Sequence, residues 1–271
     1  MVKRLDYHMH TKLCGHAVGE MFEYVEAAIA NNLDEIGFSD HMPMVYLPSY
    51  LPLDEYCMSV EELPLYVQAV KQLQEDYPNL VIKLGIEADY YEGKDQEIKN
   101  LINQAEFDYV LGSVHALGDP AFVVDDERFS DKHQQYEIFE LYQMYFSNLK
   151  KAVETGLFDV MAHLDLPKKF GDRPKESIQP MVDVVIDALV QTKTAIEVNT
   201  GGYRKPVAEQ YPSEEILRAC CENDIQVTIG SDSHRPDEVG WEVDRALTLL
   251  RKVGYNQIIG FKKRKRIFFE I

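Results

Sequence analysis

Arg4-Leu5-Asp6-Tyr7-His8-Met9 is a short apolar run. Met21-Phe22-Glu23-Tyr24-Val25-Glu26-Ala27-Ala28-Ile29-Ala30-Asn31 follows with helical periodicity, and Glu35-Ile36-Gly37-Phe38-Ser39 is a second short run. Strand, helix and strand in that order describe two parallel strands joined by a helical crossover. The same alternation continues to the end of the chain. Further strand-like runs lie at Val81–Ala88, Tyr109–Val114, Val160–Leu164, Ala195–Asn199 and Gln226–Gly230. Helical patterns fall between and after them, at Val60–Asp76, Asp95–Gln104, Tyr136–Glu154, Ile178–Gln191, Ser213–Asn223 and Val243–Lys252, before an apolar C-terminal tail. Strands each followed by a helix imply an α/β fold with a parallel sheet. Closed on itself, that sheet is a TIM-like barrel with one unit fewer than usual; an open doubly wound sheet is the structural alternative. The 271 residues suit one large domain or two small ones, and no linker or low-complexity segment divides them, so residues 1–271 read as a single domain.

Ser213 before Glu214 and Glu215 reads as a helix N-cap with acids in the first turn, and Ser59 with Glu62 as a capping box. Pro64 leaves the start of the helix after Ser59 open, because an interior proline removes a backbone donor.

The formal charge of −18 argues against nucleic acid as a partner, since a duplex selects a basic face. The one basic run, Lys262-Lys263-Arg264-Lys265-Arg266, precedes Ile267-Phe268-Phe269 and reads as a solvated edge strand. No stretch reaches the roughly 20 apolar residues of a membrane span, and the start lacks a secretory apolar run, so a cytoplasmic location is expected. Cys14, Cys57, Cys220 and Cys221 form no CxxC pair and read as reduced, buried thiols. Cys14 stands in a histidine-rich loop, where metal ligation is its lesser reading.

Functional residues of a barrel belong at the C-terminal ends of its strands. Strand one runs into His8-Met9-His10, with His16 in the loop beyond. Strand two ends in Asp40-His41, strand three carries Glu87, and strands four and five run into His115 and His163. Strand six contains Glu197 and ends with Asn199, and strand seven runs into Asp232-Ser233-His234. Of the eight histidines only His133 falls elsewhere, and it reads as structural. A single histidine beside a strand is usually a hydrogen-bonded structural residue, but independent structural histidines have no reason to share one end of one sheet. His8 and His10, at i and i+2 of a strand, face the same side. Imidazoles with carboxylates suit zinc, iron or manganese rather than magnesium or calcium. His8, His10, His16, His41, Glu87, His115, His163, Asp232 and His234 offer more ligands than the roughly three to five a catalytic ion takes, which implies two or three divalent ions.

These motifs resemble the PHP (polymerase and histidinol phosphatase) family. The residues that carry the likeness are Asp6-Tyr7-His8-Met9-His10-Thr11, Cys14-Gly15-His16, Phe38-Ser39-Asp40-His41, Gly85-Ile86-Glu87, Gly112-Ser113-Val114-His115, Ala162-His163-Leu164-Asp165, Glu197-Val198-Asn199-Thr200-Gly201-Gly202-Tyr203-Arg204-Lys205-Pro206 and Gly230-Ser231-Asp232-Ser233-His234. Cys-Gly-His, Lys168-Lys169-Phe170 and Arg204-Lys205-Pro206 point to the histidinol-phosphate phosphatase branch. The resemblance implies a distorted (β/α)7 barrel. It also implies one ion on His8, His10, Glu87 and Asp232, a second on Glu87, His115 and His163, and a third on His16, His41 and His234.

The implied reaction is hydrolysis of L-histidinol phosphate by a hydroxide held on the metals. Arg204, with its planar fork, and Lys168, with its mobile point charge, are the candidates for the remaining phosphate oxygens. Asp40, Asp165 and Glu197 are expected to orient ligand imidazoles; protonation of the leaving oxygen is a second possibility for Asp40. The segment Met42–Tyr56, rich in proline and tyrosine, reads as a wall of the site or as packing on the barrel top. Two rival functions stand beside this one: a phosphoesterase of the same family acting on nucleotides or other small phosphomonoesters, and a noncatalytic metal-bound module.

Overall fold

The computed structural model describes residues 2–129 and 135–271; His133 lies outside the described residues. The strands in chain order are β1 (Leu5–Met9), β2 (Glu35–Phe38), β3 (Val81–Asp89), β4 (Tyr109–Ser113), β5 (Ala116–Leu117), β6 (Phe122–Val123), β7 (Val160–Met161), β8 (Ala195–Asn199) and β9 (Val227–Gly230). β1-β2-β3-β4-β7-β8-β9 form a seven-stranded sheet in sequence order, every pair parallel. The helices α1 (Met21–Ala30), α2 (Leu63–Asp76), α3 (Asp95–Ile102), α4 (Ile138–Glu154), α5 (Gln179–Thr192), α6 (Glu214–Glu222) and α7 (Val243–Val253) supply the connections. Among the described residues no helix is long and apolar enough to cross a membrane.

The two outer strands meet, which excludes the open sheet. His10 N donates to the Ser233 carbonyl at 2.9 Å, and Ser233 N to the His8 carbonyl at 3.2 Å. Asp6 straps the same seam: its carboxylate accepts from Ser231 N at 2.8 Å, Ser231 Oγ at 2.6 Å and Gly240 N at 2.8 Å. Burial pushes the pKa of Asp6 up even against those hydrogen bonds.

Element boundaries follow local chemistry. α2 begins at Leu63 with Pro64 in its first turn, where the missing N–H has no helical partner to lose. Ser59 and Glu62 exchange capping-box hydrogen bonds just ahead of it, Ser59 N to Glu62 Oε2 at 2.8 Å and Glu62 N to Ser59 Oγ at 3.3 Å. Ser213 Oγ accepts from Ile216 N and caps α6. β7 is shorter than its apolar run: it ends at Met161, because His163 adopts a φ of +27° and the chain enters a 3-10 turn over Leu166–Phe170. The hairpin β5–β6, inserted after β4, has strands too short to leave a sequence signal.

The basic run near the C-terminus is solvated, with Lys262, Lys263, Arg264 and Lys265 exposed, and it leads into an edge strand. It forms the turn between β10 (Gln257–Lys262) and β11 (Lys265–Glu270), a hairpin at the N-terminal end of the barrel. Lys263 N donates to Asp108 Oδ1 at 2.9 Å, Arg264 Nε to Asp159 Oδ2 at 2.7 Å and Arg266 Nη1 to Gln226 Oε1 at 2.6 Å. Those acceptors immediately precede β4, β7 and β9, so the run satisfies the polar groups where strands begin. Phe261 of the hairpin packs on Tyr109 and Tyr7, with ring centroids 5.7 and 6.2 Å away.

Tyr109 occupies space that two glycines leave open. A Cβ on Gly37 would lie 2.2 Å from the Tyr109 hydroxyl oxygen, and one on Gly85 2.2 Å from its ring. Gly85→Ala is therefore expected to cost about 1–3 kcal/mol through overpacking. Urea unfolding should show a lower midpoint with an unchanged slope.

Candidate metal centre

Every strand of the sheet delivers polar side chains from its C-terminal end to one pocket, and Glu87 of β3 stands at its centre. Glu87 Oε2 lies 3.2 Å from His8 Nε2, 3.5 Å from His10 Nε2 and 3.1 Å from His41 Nδ1. Its other oxygen, Oε1, lies 3.1 Å from His163 Nε2 and 3.9 Å from His115 Nε2. Asp232 Oδ1 is 3.2 Å from His10 Nε2 and 3.8 Å from His8 Nε2. His234 Nε2 meets His16 Nε2 at 2.9 Å and stacks on His10 with centroids 4.0 Å apart. The nine side chains singled out in the sequence thus form one continuous cluster. His8 and His10 share a side, as their i, i+2 spacing requires.

The free atoms test whether cations fit there. His8 Nε2, His10 Nε2, His41 Nδ1 and Glu87 Oε2 are all buried and have no hydrogen-bond partner, although they approach one another closely. Ligand atoms about 2.1 Å from one cation lie roughly 3.0–3.4 Å apart, the spacing seen here. Donors aimed at a common point without bonding each other are arranged as ligands. Sets whose ligand atoms lie within 4.8 Å of one another include His8/His10/Asp232, His8/Glu87/His163, His10/His41/His234 and Cys14/His16/His234.

In five of the seven cluster histidines the opposite ring nitrogen is tied down, which fixes tautomer and orientation. His8 Nδ1 pairs with Glu197 Oε1 at 2.8 Å, His10 Nδ1 with Asp40 Oδ1 at 3.4 Å and His115 Nδ1 with Asp89 Oδ2 at 2.9 Å. His16 Nδ1 reaches the Cys14 and Glu55 carbonyls, each at 3.0 Å, and His234 Nδ1 the Asp232 carbonyl at 3.1 Å. Asp40 is fully buried against His10, Thr11 and His41 N, which places it as a holder of His10. Asp89 has the same role and was missed in the sequence, although it stands two residues after Glu87 on the same strand face. Asp165 holds no imidazole: its Oδ2 accepts from Ser213 N and pairs with Lys168, each at 2.9 Å.

Burial opposes every charge in the cluster, and the neighbours decide the outcome. Against that burial, His41 and His8 hold Glu87 well below the usual carboxylate range. Against it likewise, Glu197, Glu87 and Asp232 hold His8 well above the usual imidazole value, and the adjacent Asp232 and Asp40 carboxylates do the same for His10. Burial and the positive rings around them push His41 and His234 well below it. Cys14 is buried beside the same group, its Sγ 3.9 Å from His16 Nε2; hydrogen bonds from His10 and His16 outweigh burial and lower its thiol. Cation binding has to displace the protons on His8 and His10, so metal affinity rises with pH.

The cluster forms the floor of a cavity of about 740 Å³. Met44, Leu47, Leu51 and Tyr56 of the Met42–Tyr56 segment line one wall. The same segment packs on the barrel through a 2.6 Å hydrogen bond from Tyr46 Oη to the Asp89 carbonyl. It is both wall and packing. The two basic candidates lie elsewhere. Lys168 is 1% exposed and its Nζ is taken by Glu209 Oε2 at 2.8 Å, the Gln210 carbonyl at 2.7 Å and Asp165 Oδ2 at 2.9 Å, away from the cavity. A 3-10 turn points consecutive lysines in different directions, and it is Lys169 that lines the cavity, with Nζ 2.8 Å from Asp125 Oδ2. Arg204 stands behind the ligand loop, its Nη2 donating to the Ser231 and Asp232 carbonyls at 2.9 and 3.0 Å. It supports Asp232, whose φ of +55° is strained for a residue with a side chain.

A parallel barrel with a histidine–carboxylate cluster at its C-terminal mouth defines the class of metal-site hydrolases. The chain belongs to the PHP family: residues 6–201 match the family described as "PHP domain". A Deinococcus radiodurans protein described as "Probable histidinol-phosphatase" is 37% identical over 261 residues, covering 96% of this chain and 97% of its own. The Lactococcus lactis histidinol-phosphatase is 27% identical over 270 residues, covering 97% and 96%. The crystal structure of the Lactococcus lactis histidinol phosphate phosphatase, complexed with zinc, L-histidinol and phosphate, matches with a TM-score of 0.84 over 98% of this chain and 100% of that one.

Glu197→Gln is expected to weaken metal binding about 10–100-fold, by loosening His8. Asp165→Asn should leave it near wild type, since Asp165 touches no ligand. Chelator competition monitored by metal analysis separates the two.

Proposed function

We propose that the chain is a metal-dependent histidinol-phosphatase, hydrolysing L-histidinol phosphate to L-histidinol and phosphate, with two or three divalent cations drawn from zinc, iron and manganese. His8, His10, Glu87 and Asp232 would hold one, Glu87, His115 and His163 a second, and His16, His41 and His234 a third. When bound, such ions lower the pKa of water toward about 7 and neutralise phosphate charge. The protein's own part is positional. Glu197, Asp40 and Asp89 fix the ring orientations, and Arg204 holds the Asp232 loop.

Lys169 replaces Lys168 as the side chain offered to a phosphate oxygen, because its ammonium faces the cavity beside the cluster. The observation that carries the reading is the convergence of unpaired imidazole nitrogens on Glu87 Oε2, joined to near full-length similarity with histidinol-phosphatases. The direct test assays metal-loaded protein on L-histidinol phosphate beside nucleoside monophosphates. Phosphate release from histidinol phosphate, abolished by chelation and restored by metal, is expected; a preference for nucleotides contradicts the substrate.

Lys169→Met should lower kcat/KM for histidinol phosphate about 10–100-fold with metal content retained, as expected for loss of a charged hydrogen bond. Lys168→Met should act on stability instead, read as a lower Tm.

A further inference from the structure

Histidinol phosphate carries an ammonium group close to its phosphate, so a site that selects it needs a carboxylate beside its phosphate-binding cations. We infer that Asp125 is the residue that receives the substrate ammonium and sets the preference for amino-alcohol phosphates; this rests on the histidinol-phosphatase reading. Among the described residues, four carboxylates other than metal-cluster members line the cavity: Glu55, Asp125, Asp126 and Glu127. Arg128 neutralises two of them, pairing with Glu55 and, at 2.7 Å, with Asp126. The Asp126 carboxylate also accepts from Tyr56 Oη and from Arg128 N. Glu127 is exposed at the rim.

Asp125 differs in position and in partner. The β5–β6 hairpin pairs Ala116 with Val123, and Val124 N donates to the His115 carbonyl at 2.8 Å. That register sets Asp125 beside the ligand His115 rather than at the rim. Lys169 Nζ donates to the Asp125 carbonyl at 2.7 Å and to Oδ2 at 2.8 Å, which leaves Oδ1 for a further donor. The Lys169–Asp125 pair therefore presents a positive and a negative end side by side next to the metal cluster. A substrate with adjacent phosphate and ammonium groups matches that pair in charge and order. A phosphomonoester without an amine lacks the second group, and a nucleotide places no cation there.

The test compares L-histidinol phosphate with its deamino analogue, the phosphate ester of 3-(imidazol-4-yl)propan-1-ol, on metal-loaded wild type and Asp125→Asn. Wild type should favour the amine-bearing ester by about 10–100-fold in kcat/KM, the range for a charged hydrogen bond. In Asp125→Asn that preference should shrink to within about threefold, and Asp125→Ser takes its place if the amide variant does not fold. Equal turnover of the two esters by wild type, or an undiminished preference in the variants, overturns the assignment of Asp125. If wild type hydrolyses neither ester, the histidinol-phosphatase reading itself fails.

Discussion

The structure depends on a charge problem at Glu87. A carboxylate 1% exposed, ringed by imidazoles and accompanied by Asp232, is costly to bury unless its charge is met. Protons on His8 and His10 meet part of it. They cannot align hydrogen bonds to every atom that converges, and the leftover nitrogens stay unpaired. Divalent cations satisfy the same atoms at once. Cations bound to the folded site and absent from the unfolded chain also stabilise the fold by mass action.

The barrel divides its labour between its two ends. At the N-terminal end, aromatic packing by Tyr7, Tyr109 and Phe261 and the hydrogen bonds of the C-terminal hairpin carry stability. At the C-terminal end, the strands stop where their side chains become ligands. The two ends communicate through the seam, where Asp6 holds Ser231 immediately before Asp232. Closing the sheet and placing the ligand loop are thus one structural event.

Much of this was legible in the sequence because periodicity and punctuation carry it. The strand ends fixed which residues share a mouth, so the histidines and Glu87 could be placed together without coordinates. Side-chain direction inside short irregular turns was not legible: Lys168 and Lys169 differ only in which way a 3-10 turn faces them, and the turn begins because His163 leaves the strand early. The β5–β6 hairpin was invisible for want of length, and with it the position of Asp125. Asp89 could have been read from the alternation that places it on the face of Glu87. The basic C-terminal run was legible as a solvated edge but its acceptors were not: Asp108, Asp159 and Gln226 lie far away in sequence and meet it only once the barrel forms.

Crystals of metal-loaded protein, with anomalous diffraction recorded at the zinc, iron and manganese edges, would measure the convergence itself. Two or three anomalous peaks should lie within the cluster, neighbours about 3.5–4 Å apart and the nearest pair bridged by Glu87. Fully loaded protein with no anomalous density between Glu87, Asp232 and these histidines, or with its metal bound elsewhere, would contradict it.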